Sequence, residues 1–209
     1  MRVAIIDHGL CNMDSIARAV ECCDGDPIVT ARPESLGNVH RVVLPGVGAF
    51  PKAMARLHEM GMVEALDDAV RSRGVPVLGI CLGMQLMMTS GDEGGTPTPG
   101  LGWIEGTVTR LQPNGGERVP HVGWNSVEPS PGRALADSVV PGTDFYFVHS
   151  FHVLPTVEST VAATTPYAGT FVSSVASGPC LGVQFHPEKS QKAGFAVIRD
   201  FVEHGSRSC

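Results

Sequence analysis

Cys81 lies between Gly79 and Gly83 in the stretch VPVLGICLGMQLMMT, residues 75–89. The run VPVLGI has strand length and β-branched character, and LGMQLMMT after it reads as a helix. A strand that turns abruptly into a helix at a lone cysteine, with glycine two residues away on each side, is the thiol form of a nucleophile elbow. The reason is steric. The turning residue is held in a strained conformation that lifts its side chain clear of the sheet, and the glycines remove Cβ atoms that would collide there. The same turn points the first N–H groups of the helix at whatever the thiol attacks, and the positive end of the helix favours thiolate. The plain alternative is a small buried apolar residue, a common fate of unpaired cysteines.

A thiol needs a base, and the base needs a carboxylate to hold its tautomer and stabilise its cation. About a hundred residues downstream the chain reads GVQFHPE, in which an apolar strand runs into His186 and Pro187 fixes the backbone past it. Glu188 projects to the same side as His186 if the backbone stays extended. Cys81, His186 and Glu188 thus offer nucleophile, base and orienting carboxylate. In isolation, the last two read as a solvated pair at a strand end; together with the elbow they read as a triad. A third feature is the PGVG turn at residues 45–48. Its glycines let backbone N–H groups approach a ligand, and a donor from Gly46 or Val47 together with that of Leu82 makes an oxyanion hole.

These residues need a scaffold, and the first half of the chain supplies one. Residues 3–6, 27–30 and 41–44 read as strands. Helices are expected after Asn12, with Ile16, Ala19, Val20 and Cys23 on one face, and over residues 51–73, with Val63, Leu66 and Val70 on a buried stripe and Gly61 as a break. Alternating strands and helices imply right-handed crossovers and a largely parallel sheet, whose active groups gather at the strands' carboxyl ends. After Gly91 the texture changes to short strands with turns, at 106–111, 118–122, 145–148, 161–164, 171–175 and 180–185. These are expected as antiparallel additions to the same sheet. A last helix at 192–204 must pack back on the core, so residues 1–209 are expected to form a single α/β domain.

Composition narrows the function. A net charge of -6 over 209 residues argues against a binder of nucleic-acid backbones, which needs a basic face. No apolar run is long enough to span a bilayer, and the opening MRVAIIDHGL meets Asp7 too early for a signal peptide. Six scattered cysteines without a C-x-x-C pair suit reduced thiols and a cytoplasmic setting. The reading requires no cofactor and no metal.

In this order and spacing, PGVG, GICLGMQ and QFHPEKS resemble the class I (triad) glutamine amidotransferases, over essentially the whole chain. An opening of the type I-D-x-G-x-x-N, then VPHVGWN at 119–125, FYFVHSF at 145–151 and HPEKS at 186–190, look like the glutaminase subunits of imidazole glycerol phosphate synthases. That resemblance implies a flavodoxin-like core. It implies attack of Cys81 on the side-chain amide of glutamine, a γ-glutamyl thioester and release of ammonia. Gly48, Gln85, Glu93, His149 and Ser150 are then expected around the substrate, Glu93 pairing with its ammonium. It also implies a heterodimer with a (β/α)₈ cyclase subunit, which uses the ammonia to make imidazole glycerol phosphate and aminoimidazole carboxamide ribonucleotide in histidine biosynthesis. Asn12, Trp124, Tyr146 and Lys189 are the expected partner face.

Three positions depart from the family's pattern. His8 replaces a usual tyrosine, Cys11 a usual glycine and Phe151 a common tyrosine. None is in the triad; they bear on the N-terminal loop and the partner contact. Two other readings stay open at this level: a glutaminase serving another ammonia-channelling synthase, such as the pyridoxal phosphate one, and a flavodoxin-like binding or redox module without hydrolase activity. The first is opposed by PHVGWN and YFVHS. The second requires His186 and Glu188 to lie far from Cys81.

Overall fold

The computed structural model describes residues 1–209 except 10, 12, 114, 136 and 207–209. The expected partner-face residue Asn12 therefore lies outside the described residues. Strand β1 (Arg2–Ile6) leads into helix α1 (Met13–Glu21), then β2 (Asp26–Thr30), β3 (Arg41–Gly46), α2 (Phe50–Glu59) and α3 (Met62–Asp67). Gly61, at φ +63°, separates the last two, and Pro51 occupies the first turn of α2, where no N–H is needed. Strand β4 (Val77–Cys81) then runs directly into α4 (Leu82–Leu86).

The first strands pair in parallel in the order β2-β1-β3-β4. Side chains alternate across β1 as the pleat requires. Ala4 and Ile6 join a core with Phe50, Leu57 and Leu66 on one face of the sheet. Val3 and Ile5 join another with Ile16 and Val20 of α1 and Val197 and Phe201 of the C-terminal helix. Both faces are covered, which is what an apolar parallel strand demands.

The second half adds β5 (Met88–Gly91), β6 (Thr98–Pro99), β7 (Ile104–Arg110), β8 (His121–Pro129), β9 (Thr143–His149), β10 (Phe151–Pro155), β11 (Val161–Thr165), β12 (Phe171–Ser177), β13 (Cys180–Val183) and α5 (Gln191–His204). Strand β13 lies parallel to β4, with Val183 opposite Ile80, and β12 and β10 continue the sheet antiparallel. This is the expected α/β architecture, a mostly parallel sheet flanked by helices with antiparallel additions. Among the described residues no helix is long and apolar enough to cross a membrane.

Three expectations need correction. The helix read through Thr89 stops at Leu86, because the next carbonyls are taken by another segment: Leu101 N–H donates to Leu86 O, and Trp103 and Ile104 N–H to Met87 O. The strand expected at 118–122 begins only at His121 and runs to Pro129. Pro120 has no N–H to give to a ladder, and pairing starts at His121 opposite His149. Strand β10 was not anticipated. It continues β9 past a bend at Ser150, and the chain changes partners there, β9 pairing with β8 and β10 with β7.

Candidate active site

Cys81 ends β4 at φ 54°, ψ -108°, a conformation strained for any residue with a Cβ. The neighbouring glycines make the turn possible by close approach. A Cβ on Gly83 would stand 1.7 Å from the Leu44 carbonyl oxygen, and one on Gly79 would stand 2.8 Å from the backbone of Gly83. Helix α4 can therefore sit directly on β3 and β4 only with glycine at both places.

Because β13 is the parallel neighbour of β4, the segment after it emerges beside Cys81, and His186 and Glu188 arrive there. Nδ1 of His186 and Oε1 of Glu188 are 2.8 Å apart, with both side chains almost wholly buried. The link is not made by an extended backbone, as expected from sequence. Residues Pro187–Lys189 form a single 3-10 turn, and the glutamate reaches back to the ring from it. Burial pushes the His186 pKa down, but Cys81 and Glu188 outweigh it and raise it to about 9. Nε2 of His186 is buried without a hydrogen-bond partner. Glu188 holds Nδ1, so Nε2 is the nitrogen left to exchange a proton with the thiol, whose nearness helps raise the ring's pKa.

The turn that carries this pair is fastened to β9. His186 N–H donates to Tyr146 O at 2.9 Å, Tyr146 N–H donates to Ser190 Oγ at 3.0 Å, and Ser190 Oγ–H donates to His186 O at 2.7 Å. The outer side of β8 and β9 shows three of the residues expected to meet a partner. Trp124, 48% exposed, packs edge-on against Tyr146 at 6.0 Å, and Nζ of Lys189 lies 5.9 Å from the Tyr146 ring centre.

Cys81 opens into a cavity of about 200 Å³ lined by Val47, Gly48, Leu82, Gln85, Glu93 and the chain from Val148 to Phe151. That is below the roughly 300–1,000 Å³ of pockets for drug-sized ligands and suits something as small as an amino acid. All five residues expected around a substrate line it. Of the three expected oxyanion donors, Val47 and Leu82 line it as well. Gly46 instead ends β3 opposite Cys81, where a Cβ would press on Leu82 at 3.0 Å. Gly48 takes φ +103°, and the Pro45 carbonyl behind this loop accepts a 2.7 Å hydrogen bond from Nε2 of buried His8. Oε2 of Glu93 accepts from the Phe50 N–H at 2.6 Å, at the start of α2.

Sequence reasoning missed the buried polar groups behind the cavity's lining. Gln184 donates from Nε2 to Cys81 Sγ at 3.5 Å and accepts from Gln85 Nε2 at 3.0 Å. His121 and His149 form a second buried link, Nδ1 to Nε2 at 3.0 Å. Burial lowers the pKa of His121 to about 4 and, as the main cause, that of His149 to about 3. The signal in the sequence was membership of QFHPEKS, with Gln184 two residues before His186; the strand expected over 180–185 ends at Val183, so strand alternation does not place its side chain. Among the described residues, no cluster of three or more His, Cys, Asp or Glu side chains is arranged to hold a metal ion.

Known proteins match this chain over nearly its whole length. The imidazole glycerol phosphate synthase subunit HisH of Moorella thermoacetica is 46% identical over 202 residues, covering 96% of this chain and 94% of its own. The subunit of the same name from Caulobacter vibrioides is 43% identical over 208 residues, covering 96% and 97%. A crystal structure described as a glutamine amidotransferase superposes with a TM-score of 0.73 at 18% identity over 96% of this chain and 97% of its own, a likeness of fold. The family model for class-I glutamine amidotransferases matches residues 4–204, and the chain is a member of that family.

Proposed function

We propose that this chain is the glutaminase subunit of an imidazole glycerol phosphate synthase, splitting glutamine at Cys81 and passing ammonia to a cyclase subunit. The observation that carries the chemistry is the His186–Glu188 pair beside Cys81 at the edge of an amino-acid-sized cavity. The acceptor reading draws on the names of the relatives.

In this mechanism the Cys81 proton passes to Nε2 of His186, and Glu188 stabilises the resulting imidazolium through Nδ1. Thiolate attacks the carboxamide carbon, and the oxygen that becomes anionic turns toward the N–H groups of Leu82 and Val47. His186 returns the proton to the amide nitrogen, the C–N bond breaks, and ammonia leaves a γ-glutamyl thioester. Water, deprotonated by the same imidazole, attacks the thioester; glutamate departs and the thiol is restored. Glu93, Gln85 and the backbone at His149 and Ser150 hold the amino-acid end of the substrate. Trp124, Tyr146 and Lys189 form the face that meets the cyclase, a (β/α)₈ barrel, where ammonia enters the synthesis of imidazole glycerol phosphate and aminoimidazole carboxamide ribonucleotide. The hydrogen bonds from Tyr146 to the triad turn give that face a direct mechanical link to His186.

The test is to mix this chain with a cyclase subunit and its nucleotide substrate, and to follow product from glutamine and from ammonium salts separately. Cys81→Ala is expected to abolish the glutamine-driven reaction and leave the ammonium-driven one intact. Loss of both with the complex still assembled would refute the ammonia-donor role. Glutaminase activity is also expected to be low for the chain alone, because one oxyanion donor is worth roughly 10²–10³ in rate and the PGVG loop is expected to be misaligned until partner and substrate bind; full activity in isolation would refute this.

A further inference from the structure

We propose that Gln184 is a further catalytic residue, whose side-chain N–H holds the Cys81 sulfur in its anionic form. Gln184 is fully buried one residue past β13, and its Nε2 lies 3.5 Å from Sγ. What fixes the amide this way round is a chain of donors and acceptors with one allowed direction. The Phe151 carbonyl can only accept, and it accepts from Gln85 Nε2 at 3.0 Å. The other N–H of Gln85 therefore meets Oε1 of Gln184, also at 3.0 Å, and leaves the Gln184 amino group toward sulfur. Rotating either amide by half a turn would set oxygen against oxygen or nitrogen against nitrogen in a dry site.

The same carbonyl is pinned from its other side. Nδ1–H of His149 donates to Phe151 O at 2.9 Å, so Nε2 of His149 must accept, and Nδ1–H of His121 donates to it at 3.0 Å. Nε2 of His121 then accepts from Asn125 Nδ2 at 3.4 Å. This order requires both rings to be neutral, in agreement with their lowered pKa values. The carbonyl comes from the backbone, so the departure from tyrosine at position 151 leaves the arrangement untouched.

A hydrogen bond to an ionised acceptor is about twice as strong as one to a neutral acceptor. The Gln184 N–H thus favours thiolate over thiol before attack. After attack the sulfur is a neutral thioester and the contact weakens, so the stabilisation returns only as thiolate leaves during hydrolysis. His186 takes the proton in this scheme, and Gln184 moves none.

The inference rests on the glutaminase reading, so its test separates the two. Gln184→Met removes the donor without adding charge, and Gln184→Glu keeps an acceptor for Gln85 while removing the N–H. Iodoacetamide labelling of Cys81 in the free chain is followed by peptide mass spectrometry from pH 6 to 9, and kcat and KM for glutamine are measured in the complex. Both variants are expected to label Cys81 roughly tenfold more slowly at pH 7, the scale of one hydrogen bond to a charged group. Their labelling curves move to higher pH, and kcat falls by at least as much while KM stays within about twofold. Wild-type labelling in both variants, or slowing in Gln184→Glu alone, overturns the inference, the latter because charge rather than the lost N–H would be responsible. If neither variant folds, the ¹⁵N-labelled wild-type chain decides: the Gln184 side-chain amide signals must shift when Cys81 is alkylated, and unchanged signals overturn the assignment. A wild-type complex that releases no glutamate would refute the glutaminase reading, whatever the labelling shows.

Discussion

Three buried histidines, one lining the cavity and the others in contact with its lining, are biased in opposite directions. Burial holds His121 at about 4 and is the main cause that holds His149 at about 3, while Cys81 and Glu188 carry His186 up to about 9 in spite of burial. The sign of each contribution to stability follows by linkage from the ordinary value of 6.5. His121 and His149 take up protons more readily in the unfolded chain, so stability is lost as pH falls from about 6.5 toward 4 and 3. His186 binds its proton more tightly in the folded chain, and its contribution, full below about 6.5, is lost as pH rises through about 9. Thermal melts at pH 7 and 4.5 are expected to show acid destabilisation, smaller in His121→Phe, which has no ring to protonate. An equal loss in the variant would contradict the neutral histidine pair. At this scale the sequence was most informative about groups that react and least about groups that orient them. Cys81, His186 and Glu188 stand in recognisable local patterns. Gln184 and His121 stand inside QFHPEKS and VPHVGWN, but what they orient, Cys81 and Gln85 for the one and His149 for the other, is distant in the chain and encoded by no local pattern.

At the scale of elements, the elbow depends on α4 lying directly against β3. Gly83→Ala would drive a methyl into the Leu44 carbonyl, a contact with backbone that no side-chain rotation relieves. The expected cost is at least the roughly 1–3 kcal/mol of an overpacked core, with Cys81 displaced. Urea unfolding and Cys81 labelling would measure the two effects, and a variant with wild-type stability and reactivity would contradict this packing. Strand–helix alternation through Gly83 was legible because each apolar period is local. The end of α4 was not: LGMQLMM is a good helical sequence, and what stops it is capture of the Leu86 and Met87 carbonyls by residues 101–104. Strand β10 was hidden for a related reason, since β9 and β10 form one extended run whose change of partner at Ser150 is set by β7 and β8.

For the whole molecule, the outer side of β8 and β9 is where assembly and chemistry meet in the proposed function. Val122 and Trp124 are each about half exposed there, beside Tyr146 and Lys189, and the turn bearing His186 hangs from the same strand. Trp124→Ala is expected to weaken association with a cyclase subunit by about 2 kcal/mol or more, the usual scale of an aromatic anchor at the centre of an interface. The isolated chain should melt as the wild type does, because the indole is not part of the core. Titration calorimetry and a melting curve check both, and unchanged affinity would move the partner face elsewhere.

The most direct test of the central claim is to quench the complex during turnover with glutamine and weigh the peptide that contains Cys81. A γ-glutamyl adduct confined to Cys81, absent when Cys81 is replaced by alanine and accumulating when deacylation is slowed, is the predicted result. Glutamate released at the normal rate by Cys81→Ala would contradict it.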